Sequence, residues 1–379
     1  MAVTPQLQEK IDLIQACIRM EKTSRVPNVS NVFSWKILDS EYNFTEALMN
    51  NDIMEKIVFD FHERYQFDAY LDLGTRNQVK IMNALGNNAS YKIDDATGAI
   101  NCAEKVLMSG DEYDRYIHDG ENFKYEMFRR KFPGLRKGQL VEAIGGMLEF
   151  GQFAVAIQDK FVAKYDTPAV FNMLGVPMVP FENFFGYYRG IKEAALDLRK
   201  NKAKLKEAMD QDFEAAFPAF QAFLSQPNER YCVDAYTAVL GHSIMNNRQF
   251  GEMYWPYLKR IIDEVVAQDK TIYIFCESNI LRLAEYFQDI PKGHVILHPE
   301  LDDIFELRRK LPNICIAGGM KTELLGSATP EVCADYAKML LDEMGPGFIF
   351  SQDKMISFKY DCKRENLLAV NDVVRNYRT

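Results

Sequence analysis

Glu277, His298 and His242 are the residues whose types and neighbours point most directly to chemistry. Each follows a short apolar run: Tyr236-Thr-Ala-Val-Leu240 leads to Gly241-His242-Ser243, Thr271-Ile-Tyr-Ile-Phe275 to Cys276-Glu277-Ser278-Asn279, and His294-Val-Ile-Leu297 to His298-Pro299-Glu300. Two further runs end at Gly318-Gly319-Met320 and at Ser351-Gln352-Asp353. A carboxylate beside a buried strand is costly unless it is paired or coordinated, so Glu277 is read as functional, the alternative being that it turns to solvent. Imidazole and carboxylate together suit general acid–base work or a mixed N/O site for Zn²⁺. The expected metal ligands are His242, Glu277 and His298, with one position left open, and the expected catalytic residues are Glu277, His298 and Asp353. Each has a plainer competitor. His298 can hydrogen-bond backbone at a strand-to-loop junction, and His242 can cap a helix starting near Asn246. Cys276 alternates with Glu277, so it is expected in the core as a small hydrophobe.

These groups need elements to position them. Short runs rich in Ile, Val and Phe, separated by longer helix-like stretches, read as buried parallel strands of βα units. In a closed (β/α)8 TIM barrel the strand C-termini share one face, so groups distant in sequence meet at one pocket. The expectation is an α/β protein with a single barrel domain over residues 1–379. A leader helix over 1–21, with Leu7, Ile11, Ile14 and Ile18 at helical spacing, is expected to pack on the outside of the barrel. Arg25 to Trp35 reads as a first strand segment and Phe67 to Gly74 as a second, ending at Thr75-Arg76-Asn77. An insertion over about 79–140 is expected, with a hairpin inside Lys92 to Ile100 around Asp-Ala-Thr-Gly. Asn31, Glu182, Phe181, Phe185 and Tyr188 are expected to contact substrate, the aromatic residues as one wall of a pocket. Aromatic groups of this kind are also ordinary core, and Glu182 after Pro180 can simply complement a helix N-terminus.

Composition narrows the partners. A chain of 379 residues with 47% hydrophobic residues can bury a large core. A net charge of -9 and the absence of a basic stripe argue against nucleic acid. Residues 1–20 mix charged and apolar types unlike a signal peptide, and no run reads as a membrane span, so a soluble, cytoplasmic protein is expected. Seven scattered cysteines without a CxxC pair fit reduced thiols and exclude a zinc ribbon or iron–sulfur cluster.

Several segments carry a family resemblance: Gln249-Phe250 to Ile262, Phe275-Cys-Glu-Ser-Asn279, Ile316-Ala-Gly-Gly-Met320, Ala328-Thr-Pro-Glu-Val332, Gly347-Phe-Ile-Phe350 and Glu365-Asn-Leu-Leu-Ala-Val370. Together they resemble the uroporphyrinogen decarboxylase superfamily, strongly from about Tyr236 onward and collinearly from Glu21. The resemblance implies one (β/α) barrel with its site at the strand C-terminal mouth. True decarboxylases of this family carry an arginine-rich N-terminal segment to hold a polycarboxylate, whereas Val26 to Trp35 holds no arginine. The other branch, the corrinoid-dependent methyltransferases, holds zinc through His-x-Cys and a late Cys. Here Phe275, Glu277 and Gln352 or Asp353 stand near those positions. The resemblance is closest to members that demethylate aryl methyl ethers. It implies methyl transfer to the Co(I) of a corrinoid protein supplied as a partner, with zinc polarising the leaving oxygen. Methylcobamide:thiol methyl transfer, decarboxylation of a small acid held by Arg76 and Arg189, and a binding protein without chemistry remain open, as does homodimerisation.

Overall fold

The computed structural model describes residues 3–74, 79–86, 91–96, 98–102, 104–173 and 175–379. Its organising element is a five-stranded parallel sheet: β5 (Ala235–Val239), β6 (Ile272–Cys276), β7 (Val295–Pro299), β8 (Cys315–Met320) and β9 (Phe348–Gln352), hydrogen-bonded in that order. These are the apolar runs of the sequence. All but one of their residues are buried, because helices cover one face and a second apolar layer fills the other. Alternation divides each strand between two cores. Ile274, Cys276, Leu297, Ile316 and Phe350 face helix residues such as Ile261, Leu307, Leu340 and Leu367. Tyr236, Tyr273, Phe275, Ile296, Ala317 and Ile349 form an inner layer with Val29, Ala69 and Val170.

The first half of the chain contributes very short strands. β1 (Val29–Ser30) pairs with β2 (Ala69–Tyr70), far less than the segments Arg25 to Trp35 and Phe67 to Gly74 suggest. Single bridges continue the hydrogen bonding, Asn28 with Phe350 of β9 and Tyr70 with Ala169. Beyond Ala169, Cys232 and Val233 donate backbone N–H groups to the carbonyls of Ala169 and Val170. The expected eight-stranded closure is therefore not present as one ladder; five strands form the sheet and isolated pairings extend it. Thr75, Arg76 and Asn77 lie outside the described residues.

Two placements differ from the sequence expectation. The leader helix Pro5–Ile18 does not flank the strands: Ile14, Cys17 and Ile18 join the inner layer, and Gln15 Nε2 donates to the carbonyl of Cys232, before β5 begins. Amphipathic spacing shows which face of a helix is buried but not against what. Between β2 and Ala169, an antiparallel hairpin pairs β3 (Tyr91–Asp94) with β4 (Ala99–Cys102), and helices Tyr113–His118 and Gly120–Lys131 follow. The segment then continues well past residue 140 in a 29-residue helix, Lys137–Tyr165. By length and composition this helix could cross a membrane, which corrects the expectation that no run could.

Candidate functional site

The inward positions at the C-terminal ends of the strands carry the polar groups. Two residues beyond Ile296, His298 is completely buried inside the sheet. Its Nδ1 lies 2.6 Å from the Tyr273 hydroxyl and its Nε2 lies 2.8 Å from the carbonyl oxygen of Gln352. A carbonyl only accepts, so Nε2 carries the proton, and Nδ1 accepts from Tyr273. Burial pushes the His298 ring down to about 4, despite the Gln352 and Asp353 backbone groups, so the ring is neutral at pH 7. Phe275 packs edge-on against it at 5.1 Å. Gly318 makes room on the other side: a Cβ there would fall 2.8 Å from the His298 ring, and its φ of +111° favours glycine in any case. With both nitrogens engaged, His298 has no lone pair for a metal, and the expectation that it is a ligand or a catalytic base at the mouth is overturned. It pins β6, β7 and β9 together.

Glu277 follows Phe275 on the same face. It is half-buried, and its side chain makes no hydrogen bond, while its backbone N–H donates to the carbonyl of Val239. Burial, then the charge of Glu300, raises its carboxyl above the ordinary carboxylate range. The surrounding acids are already committed to backbone. Glu300 accepts from Ser278 N at 2.6 Å, which holds that residue at φ +63°, and Asp302 accepts from Ile280 N and Leu281 N at 2.9 Å each. Glu182 lies deeper, accepting from Leu240 N and Gly241 N at 2.9 Å and from the Tyr254 hydroxyl. Burial raises its carboxyl too, and Glu277 adds to the rise. Glu182 thus fixes the loop after β5 instead of contacting substrate.

That loop, Gly241–Ile244, holds His242. The ring is completely buried, and neither nitrogen makes a hydrogen bond of ordinary geometry, although backbone groups of Asn279 and Val239 lie close by. Burial, then the positive charge of Arg282, pushes it down to about 4. It does not cap the next helix, for Asn246 does so in a reciprocal capping box with Gln249. The neighbouring backbone groups of Asn279 and Val239 are the polar partners within reach of the ring.

The remaining candidates separate. Asp353 accepts from Thr322 N, Thr322 Oγ1 and Lys354 N, so it caps the helix Thr322–Ser327 rather than reaching the His298 ring. Asn31 is buried against β9, its N–H donating to Gln352 Oε1 at 2.8 Å, and its Oδ1, like Ser351 Oγ and Gln352 Nε2 at the end of β9, makes no hydrogen bond within the protein. Ser351 and Gln352 follow the apolar run Gly347 to Phe350, which marks this strand end in the sequence, but neither is expected as a site residue there, Asp353 being preferred. The aromatic wall dissolves into core. Phe181 is fully buried against the place where a Gly241 Cβ would stand, Phe185 packs on Phe181, and Tyr188 faces Tyr116 of the inserted helices. Cys276 is fully buried among outer-layer residues.

Among the described residues no three of His, Cys, Asp and Glu come together in a metal-binding group, and His298 has no free nitrogen. The set His242, Glu277 and His298 does not fit a tetrahedral zinc.

Comparisons with known proteins follow the same architecture. The family model described as uroporphyrinogen decarboxylase (URO-D) matches residues 170–377. A solved structure, a methyltransferase from Methanosarcina mazei, aligns at 14% identity with a TM-score of 0.63, covering 97% of this chain and 98% of that one, and so shares the fold. No curated protein matches the chain in sequence.

Proposed function

Because the chain belongs to the uroporphyrinogen decarboxylase family, whose model spans more than half of it, we propose that the mouth around Glu277 is an active site for methyl transfer. The donor is a small methylated oxygen compound, with an aryl methyl ether as first choice, and the acceptor is the Co(I) of a corrinoid on a partner protein. Sharing its fold with a protein described as a methyltransferase supports the reaction class. The pairings from β9 through β1 and β2 to Ala169 and on to Cys232 support reading the sheet as part of a (β/α)8 barrel, in which this mouth is the usual place for chemistry.

Glu277 is the observation that carries the reading: an inward, half-buried carboxyl held above its ordinary range and free of hydrogen bonds, among acids whose oxygens are occupied. In the transfer, the O–CH₃ bond breaks and oxygen keeps its electron pair, while the carbon gains a pair from the incoming nucleophile. An alkoxide or phenolate is a poor leaving group, and the protonated form of Glu277, which burial and Glu300 favour, offsets that by giving its proton to the departing oxygen. No step is assigned to zinc. For decarboxylation of a small acid, Arg189 is no free anchor, being buried in an ion pair with Asp197 at 2.5 Å, and Arg76 lies outside the described residues.

The test is a panel of methoxylated aromatics incubated with the full chain and a reduced corrinoid protein, followed at the cobalt absorbance. The expected result is turnover of at least one donor and a loss of roughly 100-fold or more in Glu277→Gln. Turnover of none of them would remove the methyl-ether reading, and an unimpaired Gln variant would remove Glu277 as the acid.

A further inference from the structure

The helix Lys137–Tyr165 is apolar on two faces, and the protein covers one of them. Ala143, Gly146, Phe150, Phe153, Ile157 and Phe161, at steps of three and four residues, turn toward Ile81, Met54 and the aromatic cluster around His62. On the other side Val141, Leu148 and Val155 recur every seven residues and are 62%, 64% and 62% exposed. Leu140, Ile144 and Met147 are exposed between them. Of the most apolar 18-residue window only 11% is buried. A helix hydrophobic all round requires cover on both sides, and a contiguous apolar patch of this kind marks an interaction surface.

We propose that this face binds the same face of a second copy of the chain, the two helices running antiparallel about a two-fold axis. The sequence is complementary to itself in one such register. With Met147 opposite Leu148, Ile144 falls opposite Gly151, Val141 opposite Ala154, and Leu140 opposite Val155. Every exposed large apolar residue of the helix then meets an apolar partner, two of them (Ile144 and Val141) set against the small residues Gly151 and Ala154. A Cβ built at Gly145 or Gly151 meets nothing within 4 Å, so both leave space for an approaching backbone. The six exposed side chains offer roughly 600 Å² per copy, hence roughly 1,200 Å² across the pair, which reaches the lower range of specific interfaces. A two-fold contact of this kind closes on itself and does not propagate. A bilayer is a poorer occupant: the opposite face of the helix is bound along its length to the body, so it cannot span, and of the basic residues just ahead of it (Arg129, Arg130, Lys131, Arg136 and Lys137) Arg130 is paired with Glu112 and Glu126, while Glu142 and Glu149 lie on the helix itself.

Sedimentation equilibrium of the purified full chain tests the proposal. The wild type should sediment at twice 43.7 kDa. Leu148→Glu and Ile144→Glu should each raise the dissociation constant at least tenfold, with unchanged far-UV circular dichroism, while Val332→Glu, at an exposed site on another helix, should leave the dimer intact. Leu148→Cys should form an interchain disulfide on mild oxidation, which reports the same contact independently of the charge variants. A wild type that sediments at 43.7 kDa overturns the proposal, whether or not it floats with phosphatidylserine vesicles. So does a dimer that neither Glu variant weakens and Leu148→Cys does not cross-link.

Discussion

Replacing His298 with Leu separates its role as a neutral internal fastener from any role at the mouth. At neutral pH the variant leaves the Tyr273 hydroxyl and the Gln352 carbonyl without their partner, a cost of about 2–4 kcal/mol. The pH dependence is the sharper signature. In the unfolded chain the ring takes a proton near its ordinary 6.5, whereas the folded protein resists until about 4. Between those values the unfolded state binds more protons, so this contribution is complete above pH 6.5 and is lost as pH falls toward 4. The shift corresponds to about 3 kcal/mol. The stability difference between wild type and variant should therefore shrink from about 3 kcal/mol at pH 7 to nearly nothing at about pH 4.5. His62 and His242, also held at about 4, titrate in both proteins and cancel. Urea unfolding followed by tryptophan fluorescence at a series of pH values measures the difference. Parallel stability curves, with a constant gap across that window, would refute the buried neutral ring.

Two further substitutions probe the framework. Gly318→Ala forces a Cβ to within 2.8 Å of the His298 ring at a φ of +111°, and a loss of about 2 kcal/mol or more in urea unfolding is expected. Adding His298→Ala should recover the steric share of that loss and leave the backbone share. Glu182→Gln weakens an acceptor for Leu240 N, Gly241 N and the Tyr254 hydroxyl and should cost about 1–3 kcal/mol, whereas Tyr254→Phe removes one donor of the three and should cost about 1 kcal/mol. A larger loss from Tyr254→Phe than from Glu182→Gln would contradict the view that Glu182 chiefly holds the loop after β5.

Much of the sheet is legible in the sequence because buried parallel strands read as continuous apolar runs, as Ile272–Cys276 and Phe348–Gln352 do. The two-residue strands Val29–Ser30 and Ala69–Tyr70 are too short to leave a pattern. The helix Lys137–Tyr165 is hard to read because Gly145, Gly146 and Gly151 have low helix propensity and apolar residues on both faces blur the amphipathic period. At the site, residue type found His298 and Glu182, but their roles depend on depth. His298 sits one step below the rim and meets Tyr273 and a carbonyl, and Glu182 meets backbone amides. Glu277 lies one step higher on its strand and keeps its carboxyl free.

The central claim, that Glu277 gives its proton to a departing oxygen, is met most directly by the pH dependence of single-turnover methyl transfer in wild type and Glu277→Gln, from about pH 5 to about pH 9. With the group held above its ordinary range, the wild-type rate should fall as pH rises through its ionisation, and the Gln variant should be slow and flat. A Gln variant that keeps both the wild-type rate and its pH profile would contradict the account.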